Sequence, residues 1–438
     1  MQPEAGGLRP EAWRTNGHPL RIGFDAIRAL RNTTGLGNYA RGVLRALHQY
    51  ARSLELHLYS PAPPRPEFAD FPREIDAELH LPTGDGTSAA PGLGPQASGL
   101  RRSIWRTFRL GRHAARDGIQ LYHGLSHEIP RDLPRTGIPS VATFHDLIYE
   151  REPRRFPLFD RWSYRWRYRW SADHATMIVA VSARTRDDLV ECYRLDPARI
   201  VVVPPPRDAA FAASFSDAAR ASIRAKYGLP SEFMLSVGTL EPRKNHRVLV
   251  AAAEQLTGSD AVPLVLVGRN GGTLAALRAQ VAALRLGRRV YILPDVSASD
   301  LPAVMASAAL FLYPSQIEGF GMPIVEALSA GVPVIAAGGG HLTQAGGPDT
   351  RYVPADDPAA WVAAISEILG DGPLASRMRQ TGATYARRFD GDVVAGRLMA
   401  VYEAVLGGDR VTESTRSPLI LRSHRSTSAP EADVDRSS

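Results

Sequence analysis

Residues 309–328 read ALFLYPSQIEGFGMPIVEAL, and the architecture can be read from this one stretch. Ala309–Tyr313 is apolar throughout, which suits a strand buried on both faces in a parallel sheet covered by helices. Pro314 to Phe320 then form a loop, and Gly321-Met322-Pro323 open a helix. Proline is accepted in a first helical turn because its missing N–H would have no partner there anyway. Strand, loop and helix in that order make the repeating unit of α/β folds, whose ligands gather at the carboxyl ends of the strands. Two carboxylates flank the turn: Glu318 in the loop, and Glu326 eight positions later, expected in the first turn of the helix.

Similar apolar runs recur along the chain. Leu20–Ala26, Leu54–Tyr59, Ser140–Phe144, Met177–Val181 and Ile200–Val203 are the strands expected in the first half. Phe233–Val237, Leu264–Val267, Val290–Leu293, Ala309–Tyr313 and Pro333–Ala336 are those expected in the second. Helical patterns separate them, so the class is α/β, with two doubly wound Rossmann-like domains facing a cleft. Val203-Pro204-Pro205-Pro206 ends the first half, because consecutive prolines block both helix and ladder pairing. The expected division is a lead-in at 1–18, a first domain at 19–206, a second at 207–385, a C-terminal helix at 386–408 packing back on the first domain, and a tail at 409–438. The lead-in, the serine- and arginine-rich tail, and a loop at 82–99 inside the first domain read as disordered or mobile.

The chain has 438 residues, of which 44% are hydrophobic and 22% charged, and a net charge of +7. That is length enough for two or three domains. A single cysteine, Cys192, excludes a disulfide framework and a cysteine-based zinc site, and is expected to be a buried structural thiol. The first residues lack the apolar core of a signal peptide, and no run is long enough to span a bilayer. A cytoplasmic protein is therefore expected. Basic charge clusters in two places. Arg101–Arg116 holds six arginines and no acid, and Arg151–Trp170 holds seven against Glu152 and Asp160. Such segments suit anionic lipid or phosphorylated acceptors, and suit solvated helix faces equally. No recognised nucleic-acid module accompanies them, so no nucleic-acid partner is expected.

Three turns after strands carry candidate chemistry. Gly35-Leu36-Gly37-Asn38-Tyr39-Ala40 matches a dinucleotide fingerprint in spelling. Gly35 lies nine residues past the first strand, however, and no acid ends the next strand, which argues against NAD or FAD. A glycine loop that lets backbone amides approach an anion fits better. In Gly238-Thr239-Leu240-Glu241-Pro242-Arg243-Lys244-Asn245, two adjacent cations precede a helix beginning near His246, a strong site for a diphosphate. At the third turn, Glu318 and Glu326 beside a phosphate site would repel a ligand unless they accept hydrogen bonds from its hydroxyls. Phosphates flanked by hydroxylated rings describe a nucleotide sugar.

EGFGMPIVEAL at 318–328 and GTLEPRKN at 238–245 together resemble family 4 (GT4) of the retaining glycosyltransferases with the GT-B fold. GLGNYARGVL at 35–44, FHDLIYE at 144–150, AVSARTRDDL at 180–189 and DVSASDLPAVMASAALFLYPS at 295–315 resemble other stretches of that family, so the likeness covers about residues 20–405. It implies that Arg243 and Lys244 bind the donor diphosphate, with Gly35, Gly37 and the amides of Phe320, Gly321 and Met322 close by. It implies that Glu326 binds the ribose hydroxyls, Glu318 the hydroxyls of the donor sugar, and that His145 sits near the reacting sugar. GTLEPRKN with a nearby FHDL most resembles mannosyltransferases, implying GDP-mannose as donor and a glycan or lipid-linked glycan as acceptor. A UDP-hexose donor, a GT-B epimerase or phosphorylase, and a non-catalytic nucleotide-sugar-binding subunit are the other readings. No cofactor or metal is expected, since the one Asp-x-Asp, Asp433-Val434-Asp435, lies in the tail. The chain departs from the family at Pro204-Pro205-Pro206-Arg207-Asp208, where many members carry Asn-Gly-Val-Asp, and at Gln344, where many carry glutamate.

In Asp160–Trp170, Trp162, Trp166 and Trp170 recur every four residues, as do Arg161, Arg165 and Arg169. The pattern suits a helix lying on anionic lipid at the inner membrane face. It also suits tryptophans packed on the core with arginines reaching outward. Because the helix leads directly into a buried strand, the core reading is the expected one.

Overall fold

The computed structural model describes residues 19–82 and 99–407. The expected lead-in, almost all of the 82–99 loop and the tail lie outside the described residues. In chain order the strands are β1 (Leu20–Asp25), β2 (Leu54–Tyr59), β3 (Glu78–His80), β4 (Leu121–Gly124), β5 (Ser140–Phe144), β6 (Met177–Ala180) and β7 (Ile200–Val202), followed by β8 (Met234–Val237), β9 (Leu264–Val267), β10 (Val290–Leu293), β11 (Leu310–Tyr313), β12 (Val334–Ala337) and β13 (Arg351–Val353). All ten expected strands are present within one residue at either end, and β3, β4 and β13 join them. These three carry no apolar run of their own. β3 and β13 are three-residue edge strands, and β4 spells Leu-Tyr-His-Gly.

Two all-parallel sheets result. The first runs β3-β2-β1-β4-β5-β6-β7 and the second β10-β9-β8-β11-β12-β13. In each, the order reverses once, between β1 and β4 and between β8 and β11, and loops diverge there to leave a crevice above the strand ends. The second reversal sets the Arg243-Lys244 turn, which follows β8, beside the Glu318 loop, which follows β11. Both sheets are covered on their faces, so the central strands are apolar on both sides: Met234–Val237 and Leu310–Tyr313 are buried throughout.

The domains meet at several points. The Gly391–Gly407 helix crosses back to lie along the Gly35–Tyr50 helix, and its Tyr402 Oη bonds Nδ1 of His123 on β4 at 2.7 Å. Arg207 in the linker pairs with Asp390, and its N–H donates to the Phe389 carbonyl. Across the cleft, the Ala183 N–H donates to Gln344 Oε1 at 2.8 Å, Arg269 donates to Thr33 Oγ1 at 3.1 Å, and Arg155 to Gln316 Oε1 at 3.1 Å. The tightest approach is at Gly319, where a Cβ would stand 2.0 Å from the carbonyl oxygen of His145. Only glycine lets the second domain's loop touch the first domain's strand end in this way.

Gly319→Ala is accordingly expected to hold the domains apart. Small-angle scattering should give a larger radius of gyration, and the unfolding midpoint should fall by about 2–4 °C for each kcal/mol of stability removed. An unchanged radius and midpoint would show that the loop yields without moving the domains.

Candidate active site

The centre of the cleft is a saturated carboxylate. Glu318 Oε1 accepts from Lys244 Nζ at 2.5 Å, from Ser315 Oγ at 2.5 Å and from Tyr313 Oη at 3.0 Å. Its Oε2 lies 2.9 Å from an Arg243 guanidinium nitrogen. Lys244 also donates to Tyr313 Oη at 2.7 Å, while Arg243 reaches Glu241 at 2.7 Å and the Ile317 carbonyl at 3.1 Å. Burial pushes the Glu318 carboxyl up, but Lys244 and Arg243 outweigh it and hold the pKa at about 2. Lys244 moves down as well, because burial and the adjacent Arg243 exceed what one shared carboxylate returns. Arg243 moves up: burial lowers it, and Glu318 and Glu241 more than offset that. Two cations and two carboxylates are thus balanced among themselves, and an entering anion would compete with Glu318 for both cations.

The Arg243-Lys244 pair directly precedes a helix that begins at His246, as the sequence suggested. Pro242–Lys244 form a single 3-10 turn, and Asn245 follows with φ of 51°. Asn245 is buried, and its side-chain amide donates to the Ala355 carbonyl at 2.8 Å and to Asp356 at 3.0 Å, which pins the turn to the far side of the sheet.

Glu326 also differs from expectation. The helix spans Met322–Ser329 with Gly321 as its cap, so Glu326 is in the second turn, where the helix dipole no longer accounts for it. Burial and then the Asp208 carboxylate raise its pKa to about 7, with Lys244 pulling the other way. Among the described residues no side chain bonds it. Phe320 turns its ring into the core against Phe389, at 5.4 Å between centroids, and Met322 is half-buried.

His145 follows β5 and is buried, with its ring edge-on to Tyr39 at 4.5 Å. Its Nε2 bonds the Leu125 carbonyl at 2.9 Å rather than Asp146. A carbonyl only accepts, so Nε2 carries the proton and Nδ1 is left as an acceptor. Burial, and after it the nearby His127, push its pKa down, keeping the ring neutral. Gly35 and Gly37 lie in the first turn of the Gly35–Tyr50 helix, capped by Thr34, next to the Thr33–Arg269 contact with the second domain. A Cβ on Gly37 would meet the Asn32 carbonyl at 1.9 Å, so the close return of the chain requires glycine there. Gln344 faces Ala183 across the cleft, a contact the sequence did not suggest.

The Leu158–His174 helix overturns the core expectation for Trp162 and Trp166, while Trp170 is half-buried against the core as expected. Trp162 is 64% exposed and Trp166 47%, with Leu158 and Phe159 more exposed still. Tyr164 and Tyr168 pack inward against Tyr149 instead. Ile104 and Phe108 are exposed on the Gly99–Phe108 helix. Arg131 joins the two helices: its N–H donates to the Thr107 carbonyl at 2.7 Å and its guanidinium lies 3.5 Å above the Trp166 ring. Cys192 likewise is half-buried rather than buried, and desolvation raises its thiol pKa.

The raised Glu326 pKa gives a sign-definite test. With a folded value near 7 above an ordinary 4.5, its burial destabilises the fold fully above pH 7 and not at all below pH 4.5. Glu326→Gln is expected to melt about 1–3 °C higher than wild type at pH 8 and equally at pH 4.5. A lower melting point at pH 8 would mean the carboxylate is held by favourable contacts.

Residues 33–211 match the family model described as Glycosyltransferase Family 4, and residues 219–385 that described as Glycosyl transferases group 1. The D-inositol 3-phosphate glycosyltransferase of Corynebacterium efficiens is 31% identical over 301 residues, which are 65% of this chain and 70% of that protein. The protein of the same name from Salinispora tropica is 34% identical over 62% of this chain and 60% of its own length. The O-antigen chain mannosyltransferase B of Escherichia coli is 31% identical over 61% of this chain and 70% of that one. Among solved structures, Anabaena Alr3699/HepE in complex with UDP superposes with a TM-score of 0.65 at 17% identity, covering 88% of this chain and all of that one. Sucrose-phosphate synthase from Thermosynechococcus elongatus gives 0.66 at 18%, covering 89% of this chain and 100% of its own. At such identities the likeness is one of fold, and the fold is GT-B. By both halves of its sequence and by its fold, this chain belongs to the family 4, or group 1, glycosyltransferases.

Proposed function

We propose that this protein is a retaining hexosyltransferase that moves mannose from GDP-mannose to a glycan or lipid-linked glycan, without a metal. The observation that carries the reading is the Glu318 carboxylate shared between Lys244 and Arg243 at the second sheet's reversal point. A donor diphosphate bears more charge than the single carboxylate and draws both cations to itself. That frees Glu318 to accept hydrogen bonds from the sugar hydroxyls. As the anomeric C–O bond breaks, negative charge grows on the leaving oxygen. Arg243 and Lys244 neutralise it, and preorganised charge of this kind supplies most of the barrier lowering in such reactions. A departing phosphate oxygen takes the proton of the acceptor hydroxyl as that hydroxyl attacks on the same face. Neutral His145, with Nδ1 as an acceptor, orients a sugar hydroxyl and transfers no proton. Glu326 takes the ribose diol, and the amides around Gly35, Gly37 and Phe320–Met322 line the phosphates. The domain contact at Gly319 excludes water from the reacting centre.

The mannose assignment rests on the resemblance of GTLEPRKN and FHDL to mannosyltransferases and on the Escherichia coli relative's name. Thermal unfolding with a panel of nucleotide sugars, in chelator, tests it. GDP-mannose should raise the midpoint most, and Arg243→Ala/Lys244→Ala should abolish the rise. A rise with UDP-hexoses alone would move the donor assignment, and conversion of donor without any acceptor would identify an epimerase. Stabilisation by none would overturn the transferase reading.

The acceptor is lipid-linked because the first domain presents an apolar face rimmed with arginine. Among the described residues, six of the eight exposed large hydrophobics are Ile104, Phe108, Leu158, Phe159, Trp162 and Trp166, all on the two helices joined by Arg131. Arg101, Arg109, Arg112, Arg154 and Arg165 are exposed on or beside those helices. Aromatic and aliphatic side chains inserted below phosphate-binding arginines are how a protein rests on an anionic leaflet, and no helix among the described residues is long and apolar enough to cross one. The protein should sediment with vesicles containing phosphatidylglycerol and not with neutral ones, and Trp162→Ser/Trp166→Ser should weaken this about tenfold. Indifference to lipid charge, or full binding by the variant, would remove the membrane from the account.

A further inference from the structure

At the free edge of the first sheet, His57, Glu78 and His80 turn toward one another. Adjacent strands β2 and β3 run in parallel with His57 opposite Glu78 and Tyr59 opposite His80, so all four side chains share one face. His57 Nδ1 and His80 Nε2 stand 2.9 Å apart, Glu78 Oε2 is 3.5 Å from the former, and Glu78 Oε1 is 3.7 Å from the latter. Ligand atoms on one tetrahedral ion are about 3.3 Å apart, and an ion centred among these three would lie about 2 Å from each.

The outer ring nitrogens supply a second, independent observation. His80 Nδ1 is 3.4 Å from Asp117 Oδ2, and Asp117 is fixed by Tyr59 Oη at 2.7 Å. His57 Nε2 is 3.8 Å from Glu55 Oε2, and Glu55 is fixed by Arg21 at 2.8 Å. Each histidine therefore has a carboxylate behind it and a shared centre in front. A hydrogen bond between the two rings leaves one outer nitrogen mismatched with its carboxylate. If His80 Nε2–H donates to His57, the bare Nδ1 of His80 faces Asp117; if His57 Nδ1–H donates to His80, the bare Nε2 of His57 faces Glu55.

We infer that His57, His80 and Glu78 bind a divalent transition-metal ion of the zinc class, with both outer N–H groups directed at Glu55 and Asp117. That is the arrangement in which carboxylates orient metal-bound histidines. Glu78 is well exposed, which leaves the fourth position to water. The ion ties the three-residue edge strand β3 to β2. It is a structural site, separate from Arg243, Lys244 and Glu318, and stands or falls independently of the transfer chemistry proposed above.

Untagged full-length protein, stripped with chelator, would be titrated with Co²⁺ and Zn²⁺. One equivalent of Co²⁺ should give the visible absorption of a four- or five-coordinate site, and one of Zn²⁺ should raise the unfolding midpoint. Glu78→Gln, at an exposed position that cannot upset the fold, should weaken binding about 10–100-fold, and Asp117→Asn about tenfold. His80→Gln should abolish it. No binding below millimolar metal, or binding that both Glu78→Gln and His80→Gln leave unchanged, would overturn the assignment.

Discussion

Glu318 is one carboxylate shared by two cations, and the cleft is organised around that sharing. Lys244 and Arg243 are both largely withdrawn from water, where an unpaired charge is strongly unfavourable. Glu318 and Glu241 offset part of that cost for Lys244 and more than all of it for Arg243, and Glu318 stays ionised because both cations stand beside it. Such a cluster is stable only while its charges balance, which makes it responsive to an incoming anion. The two cations come from the loop after β8 and the carboxylate from the loop after β11. Only the order of strands in the second sheet makes those loops neighbours.

A second constraint is steric. The loop that carries Glu318 must also touch the first domain, and at Gly319 it does so through bare backbone against the His145 carbonyl. The residue beside the charged centre is thus the residue at which the domains touch. The returning Gly391–Gly407 helix fixes the other end of the hinge region through Tyr402 and His123, and the Arg207–Asp390 pair joins the linker to it.

The Leu158–His174 helix shows how a periodic pattern can mislead. Its tryptophans and arginines recur at the same interval, so periodicity names two stripes without saying which faces inward. Tyr164 and Tyr168, offset from the tryptophans, take the inward side against Tyr149 and His127. The tyrosines form a third stripe, less conspicuous than the tryptophans, and Trp170 joins them on the core at the helix's end.

Sequence alone determined the α/β class, the ten strands that carry apolar runs and the loops that hold Arg243, Lys244 and Glu318, because buried parallel strands need continuous apolar runs and glycine, proline and paired charges mark the turns that end them. It also bore the family likeness that the matches to both halves of the chain uphold. Left to the tertiary structure were the strands β3, β4 and β13, which take their pairing from neighbours and need no apolar run of their own. So too were the position of Glu326 in the second helical turn, the 3-10 turn under Arg243 and Lys244, the exposure of Trp162 and Trp166, and the meeting of His57 with His80. Each depends on which distant segment packs alongside, and a local pattern of residue types holds no record of its partner across the sheet.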